Sequence, residues 1–320
     1  MKQYLLLFAL FFSLCACSEG SEEPSNHFIY EDPIANENEK SPNNDDDDNM
    51  PGPSDDYTIQ RITRINYYMD QCYSDLSMQG SALHGNILFQ FVNGNAEIYV
   101  YDLEKKMYLG AIKCKSYSRW HNNQATFSNI FYEEGDEFPL LYVSQIVYSE
   151  QTIQVWRVVR TETLFDLQLV QEMQLPFDND ENNLYHFNIV IDNSNKYFWL
   201  YSRNRSTSLG QISKWERPDV HTAKITLTEK DMLERFPIDV IMNDAQGGCM
   251  IGQRIYFVQG VPNRSELRFH IVNTNTQEVT TFNLRDFNFR VEPEGLSFYR
   301  GRFICTSYKH GIYEIYLNSY

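Results

Sequence analysis

Apolar residues in this chain come in short runs separated by turn-forming residues, and the runs carry the two-residue period of strands, not the longer period of helices. Ile87–Val92 ends at Asn93-Gly94-Asn95, a hairpin signal. Glu97–Leu103 then alternates apolar and polar positions, Glu104–Lys106 turns, and Met107–Ile112 returns. The same grammar of strand, turn and strand continues to the C-terminus. A second unit opens at Trp120–Phe127 and runs through 139–145, 154–159 and 167–173. A third opens at Tyr185–Val190 and runs through Tyr197–Ser202 to Ala223–Leu227. The fourth starts at Gln246, with outer strands over 267–272 and 279–284, and the fifth starts at Glu294.

Three of the openings are near-repeats. Gln79-Gly80, Gln246-Gly247 and Glu294-Gly295 each place a polar residue and a glycine ahead of an aromatic strand. The last two pairs lie roughly 50 positions apart, and the stretch between the first two divides into three units of about 56, a spacing that suits four-stranded blades. The prediction is an all-β fold: a β-propeller of five four-stranded blades over residues 57–320. The last blade has room for about three strands before the sequence ends. Tyr57–Tyr68 is therefore expected to supply the fourth and close the ring, which removes exposed sheet edges. Only two segments read as helical: Thr228–Arg235, with Thr228 as N-cap and acids in its first turn, and more weakly Met69–Leu76.

Composition sharpens this reading. Aromatic residues make up 15% of the chain, with 22 Tyr and 21 Phe, as suits rings packing across strands. The formal net charge of −16 argues against nucleic acid as a partner. Most of it is local: residues 18–56 hold thirteen acids and one base, so −12 of the −16 lies there. That segment is poor in apolar residues and cannot offset its ordering entropy, so residues 17–56 are read as an acidic disordered tether. Residues 1–16 form one base followed by an apolar run too short to span a bilayer, as in a signal peptide.

Leu14-Cys15-Ala16-Cys17 resembles the bacterial lipobox, which implies cleavage before Cys17 and a lipid on its thiol. The acids of Ser18–Glu23 are similar to the surface-export signal of Bacteroidetes lipoproteins. Together these resemblances imply a membrane partner through the lipid on Cys17 and an outer-membrane protein facing the cell surface, with the periplasmic face as the fallback. Gln79-Gly80-Ser81-Ala82, Trp120-His121-Asn122-Asn123 and the Pro-Leu-Leu-Tyr-Val-Ser run at 139–144 resemble five-bladed propellers of the teichoic-acid-related and phage receptor-binding type. That likeness implies a glycan or cell-wall polymer as ligand. Separately, Glu292-Pro293-Glu294-Gly295-Leu296 is similar to the opening of phytase-like and lactonase-like six-bladed propellers, which would make Glu294 a metal ligand.

In a propeller the first strand of each blade lines the axis, so polar residues at the openings are the candidate ligand-binding residues. They are Gln79, Arg119, Trp120, His121, Asn122, His186, Gln246 and Glu294. The chain has no Gly-x-Ser-x-Gly elbow, His-Glu-x-x-His or P-loop, so no nucleophile or cofactor is marked. Three readings stay open. One is ligand binding at the central funnel. The second is a metal-assisted hydrolase or lyase using His121, His186 and Glu294. The third is a scaffold meeting partners through outer loops such as 203–220. Cys249 and Cys305 are expected in the core, and pairing among Cys72, Cys114, Cys249 and Cys305 is undetermined by spacing.

Overall fold

The computed structural model describes residues 60–71, 78–93, 97–113, 124–147, 150–176, 184–192, 194, 196–204 and 206–319. Residues 1–56, read above as a signal peptide followed by an acidic tether starting at Cys17, lie outside the described residues, as do Cys72 and Cys114. The first strand, β1 (Gln60–Met69), joins the last sheet. Blade 1 comprises β2 (Met78–His84), β3 (Ile87–Val92), β4 (Glu97–Asp102) and β5 (Met107–Lys113). Blade 2 comprises β6 (Gln124–Phe127), β7 (Leu141–Val147), β8 (Glu150–Arg160) and β9 (Phe165–Gln174). Blade 3 begins with β10 (Leu184–Ile191), β11 (Tyr197–Asn204) and β12 (Leu209–Glu216). The chain then leaves blade 3 to lay β13 (Lys224–Thr226) parallel to β9 as a fifth strand of blade 2. It returns with β14 (Met232–Ile241) to complete blade 3. Blade 4 is β15 (Ala245–Ile251), β16 (Arg254–Gln259), β17 (Arg268–Asn273) and β18 (Val279–Asn283). Blade 5 is β19 (Pro293–Tyr299), β20 (Arg302–Ser307) and β21 (Ile312–Ser319), with β1 antiparallel to β21 as its outer strand.

The five-bladed ring and its closure by an N-terminal strand follow the sequence pattern. Other elements do not. The expected helix over 228–235 shrinks to a 3-10 turn at Glu229–Asp231, and the rest is β14. The capping chemistry is present all the same: the Thr228 N–H and hydroxyl both donate to Asp231 Oδ2, at 2.7 and 2.8 Å. A capping box fixes only the first turn. Beyond it, Phe236, Ile238 and Val240 alternate with exposed residues and bury against blade 4, so the period of two wins. Segment 203–220, expected as an outer loop, contains β12, whose Gly210–Ser213 and Trp215 are buried. Ala223–Leu227, expected as the outer strand of blade 3, instead supplies β13 to blade 2.

Tight two-residue turns join the first two strands in blades 1, 4 and 5. Gly85, Gly252 and Gly301 hold φ of +55°, +55° and +78° there, a region open to glycine and costly to β-branched residues.

Among the described residues, five apolar clusters hold the ring together, one between each pair of successive blades. Phe89, Phe91 and Val100 of blade 1 meet Phe138, Val143 and Trp156 of blade 2. Trp215 packs with Val155 and Phe198 between blades 2 and 3, and Trp199 lies between blades 3 and 4. Cys305 is buried between blades 4 and 5, and Cys249 packs beside it; both thiols are free. Each large side chain so buried contributes about 1.5–3 kcal/mol. A middle strand packs on neighbours through both faces, which is why β3, β4 and β16 are buried along nearly their whole length.

Candidate functional site

The first strands of the blades form the axial ring: β19 packs on β2 and β15, β2 on β6, β6 on β10, and β10 on β15. In four of these five strands the ladder slips by one residue near the leading end. The slip falls between Met78 and Ser81, Tyr185 and Asn188, Ala245 and Gly248, and Pro293 and Gly295. Such a bulge bends the strand and re-aims the side chains within it. Gln79, His186, Gln246 and Glu294 are residues inside these bulges, so four of the candidates chosen from sequence share one backbone device. The side chain of His186 lies outside the described residues, as do Arg119, Trp120, His121 and Asn122.

The glycines after the polar residues let the backbones approach each other. A β-carbon on Gly247 would stand 2.7 Å from the Leu296 nitrogen and 2.8 Å from the Glu294 carbonyl oxygen. One on Gly295 would stand 2.7 Å from the Ser81 nitrogen. Blades 4, 5 and 1 therefore meet backbone to backbone, and Gln246, Glu294 and Gln79 occupy matching positions on three successive blades.

The remaining part of the ring is bridged by a residue the sequence reading passed over. Gln124, first residue of β6, is fully buried. Its Nε2 donates to the Ile189 carbonyl at 3.0 Å and to the Gly248 carbonyl, and its Oε1 accepts from the Gly248 N–H at 2.8 Å. One side chain of blade 2 thus ties together blades 3 and 4. The Ser144 hydroxyl accepts from the Ile189 N–H at 3.0 Å, and the Tyr201 hydroxyl donates to the Gln246 carbonyl. The signal was available: Gln124 is the amide heading the short run Ala125-Thr126-Phe127.

Electrostatics single out the leading end of β19. Glu294 is completely buried, and neither carboxyl oxygen has a hydrogen-bond partner among the described residues. Burial, with Glu292 adding repulsion, pushes its carboxyl well above the usual range. Glu292 is half-buried; burial first, then the nearby Asp244, raise it to about 7, with Arg264 opposing. Arg264 Nη2 lies 3.4 Å from Asp244 Oδ1, and the Ser265 hydroxyl donates to Asp244 Oδ2 at 2.9 Å. Gln246 Nε2 donates to Glu292 Oε1 at 3.5 Å, and Gln79 Nε2 donates to its neighbour's Met78 carbonyl at 2.9 Å. Gln79 Oε1 and Gln246 Oε1 are buried without partners among the described residues. An unpaired buried acceptor costs about 1–3 kcal/mol, so this cluster works against the stability of the fold.

This mouth can accept hydrogen bonds, and it holds two carboxyls whose acidity burial has lowered. Among the described residues no three His, Cys, Asp or Glu side chains converge on a metal site; His121 and the His186 side chain lie outside them. The metal role drawn from the six-bladed resemblance also meets a ring of five blades here. Toward the trailing ends of the inner strands lies an open cavity of about 140 Å3 lined by Leu83, Phe127, Asp192, Met250 and Ser297 among others.

No protein-family model matches the chain, and no curated protein does. Solved structures do. The glutaminyl cyclase of Myxococcus xanthus is 11% identical over 82% of this chain and 98% of its own, with a TM-score of 0.50. The catalytically inactive H270A virginiamycin B lyase from Staphylococcus aureus with quinupristin is 10% identical over 81% and 99%, with a TM-score of 0.43. At such identity the likeness speaks to the fold alone. Sheet order and the Myxococcus structure agree that the chain is a five-bladed β-propeller.

Proposed function

We propose that the propeller is a ligand-binding module on a lipid anchor, and that its ligand, a glycan or cell-wall polymer, sits at the mouth formed by the leading ends of β2, β15 and β19. The observation that carries this is Glu294: a carboxyl wholly buried, with both oxygens unpartnered among the described residues, on the same layer as two buried amides with unpartnered oxygens. Folding alone does not favour such an arrangement, because an apolar residue of similar shape would be less destabilising there. Destabilising polar groups converging on a funnel are what a binding site keeps for its ligand. The lipobox-like Leu14–Cys17 and the acidic stretch after it support attachment at the outer membrane, facing the surface, with the folded part held off by the tether. Alanine at Gln246 or His121 is expected to weaken binding on a glycan array while leaving the melting temperature within a few degrees. Unchanged binding in both variants sinks the reading. Labelled palmitate should be incorporated into the full chain and lost with Cys17→Ala.

A second reading rests on the raised carboxyls. Glu292, raised to about 7, and Glu294, pushed up by burial, are two carboxyls whose titration is displaced toward neutral pH, the kind of groups a hydrolase or lyase uses to move protons. An activity whose pH profile bends near 7, with the bend removed by Glu292→Gln, would favour this reading over binding alone.

A further inference from the structure

The unpartnered atoms of Gln79, Gln246 and Glu294 at the mouth are all oxygens. Gln79 uses its amide nitrogen on the Met78 carbonyl, and Gln246 directs its own at Glu292. Those contacts fix which way round each amide lies, since only the nitrogen can donate to a carbonyl or carboxylate. Left over are Gln79 Oε1, Gln246 Oε1, Glu294 Oε1 and Glu294 Oε2: four oxygens, on residues no more than 6% exposed. They belong to three successive blades whose backbones touch at Gly247, Gly295 and Ser81. The charge balance has the same sense. Glu292 and Asp244 stand at this end with Arg264, while β2 contributes the uncharged Gln79 and Ser81, and β20 the buried Cys305 thiol beside Glu294.

We propose that the mouth takes a protonated primary amine displayed on a hydroxyl-bearing scaffold, the chemistry of a free amino sugar. An ammonium offers three N–H donors and no acceptor, so it meets a cluster of acceptors without burying a lone pair of its own. Its positive charge would favour the ionised form of Glu294 and pair with it. An anion or an acceptor-only group finds few donors here: the acid proton of a raised carboxyl, and the Arg264 guanidinium already engaged by Asp244. A neutral hydroxyl brings one donor together with lone pairs that the cluster leaves unmatched. The inference rests on the binding reading above and narrows it to one class of ligand.

Calorimetry on the full chain tests both, using the glucosamine tetramer, the N-acetylglucosamine tetramer and calcium chloride as probes. The expected result is binding of the free-amine tetramer at least about tenfold tighter than of the acetylated one. Glu294→Gln is expected to abolish that preference while the circular dichroism spectrum is unchanged, and Gln246→Ala to weaken binding of the amine. Equal or tighter binding of the acetylated tetramer, still lost in Gln246→Ala, overturns the amine inference and leaves the binding reading standing. Binding of neither tetramer, or binding that Gln246→Ala does not alter, overturns the amine inference, and the glycan array with the Gln246 and His121 variants then decides the binding reading. Calcium bound through Glu294 with no preference for the amine also overturns the inference, in favour of a hard cation.

Discussion

On the side of the axis formed by blades 2, 3 and 4, the Gln124 amide satisfies one N–H and two carbonyls of its neighbours, and Ser144 satisfies another N–H. On the side formed by blades 4, 5 and 1, the Glu294 carboxyl and the Gln79 and Gln246 oxygens stand unpaired among the described residues. Both sets are buried and polar, and the contrast is between these residues, not whole sides, since Asn188 of blade 3 also has both side-chain atoms unpartnered among the described residues. The difference teaches how to tell a polar group that serves the fold from one the fold merely tolerates: the first completes its hydrogen bonds with backbone, the second does not.

That contrast can be broken by mutation, and its two sides should respond with opposite signs. The largest effect is expected where the backbones touch. Gly247→Ala places a methyl against the backbone of residues 294–296, and overpacking that cannot relax should cost about 3 kcal/mol or more, or prevent folding, as read by denaturant titration. Next, Gln124→Leu removes three hydrogen bonds and orphans the buried Gly248 N–H. A loss of about 3 kcal/mol is expected from bonds worth about 1 kcal/mol each and one stranded donor. On the other side, Glu294→Gln should stabilise the protein at pH 7. The wild-type carboxyl is raised on folding, so its penalty is present above the unfolded value and absent below it. The gain, of the order of 1–2 kcal/mol, should therefore shrink to nothing as pH falls toward about 4.3. Constant gain across that range would contradict a buried neutral acid. The smallest effect is expected at Glu292→Gln. Its carboxyl is also raised, to about 7, so the variant's advantage should grow between about pH 4.3 and 7 and then level off. Solvent at this half-exposed group should hold it below about 1 kcal/mol. Thermal melts at pH 4, 5.5, 7 and 8 follow both carboxyls.

The hairpin signals, the recurring Gln-Gly and Glu-Gly openings and their spacing are local, so the propeller, its blade count and the closing strand from the N-terminus were legible in the sequence. Cys305 was legible as core for the same reason: a small apolar residue within a strand at a repeat position packs inward. The helix over 228–235 was misread because a capping box reports one turn of chain and is silent about the residues beyond that turn. The outer strand of blade 3 was missed because the chain detours through β13, and a three-residue strand paired in parallel has no local signature. Gln124 was passed over because a buried amide reads the same in sequence whether its partners are backbone or water.

The sequence by itself determined the number of blades and that Gln79, Gln246 and Glu294 would stand at the leading ends of strands lining the axis, because period and turn chemistry act over a few neighbours. Only the tertiary structure decided which of those groups are satisfied. Hydrogen-bond partners such as Gln124 and Gly248 come from blades far apart along the chain, and the apolar and backbone surroundings that leave Glu294 unpaired are assembled in the same way.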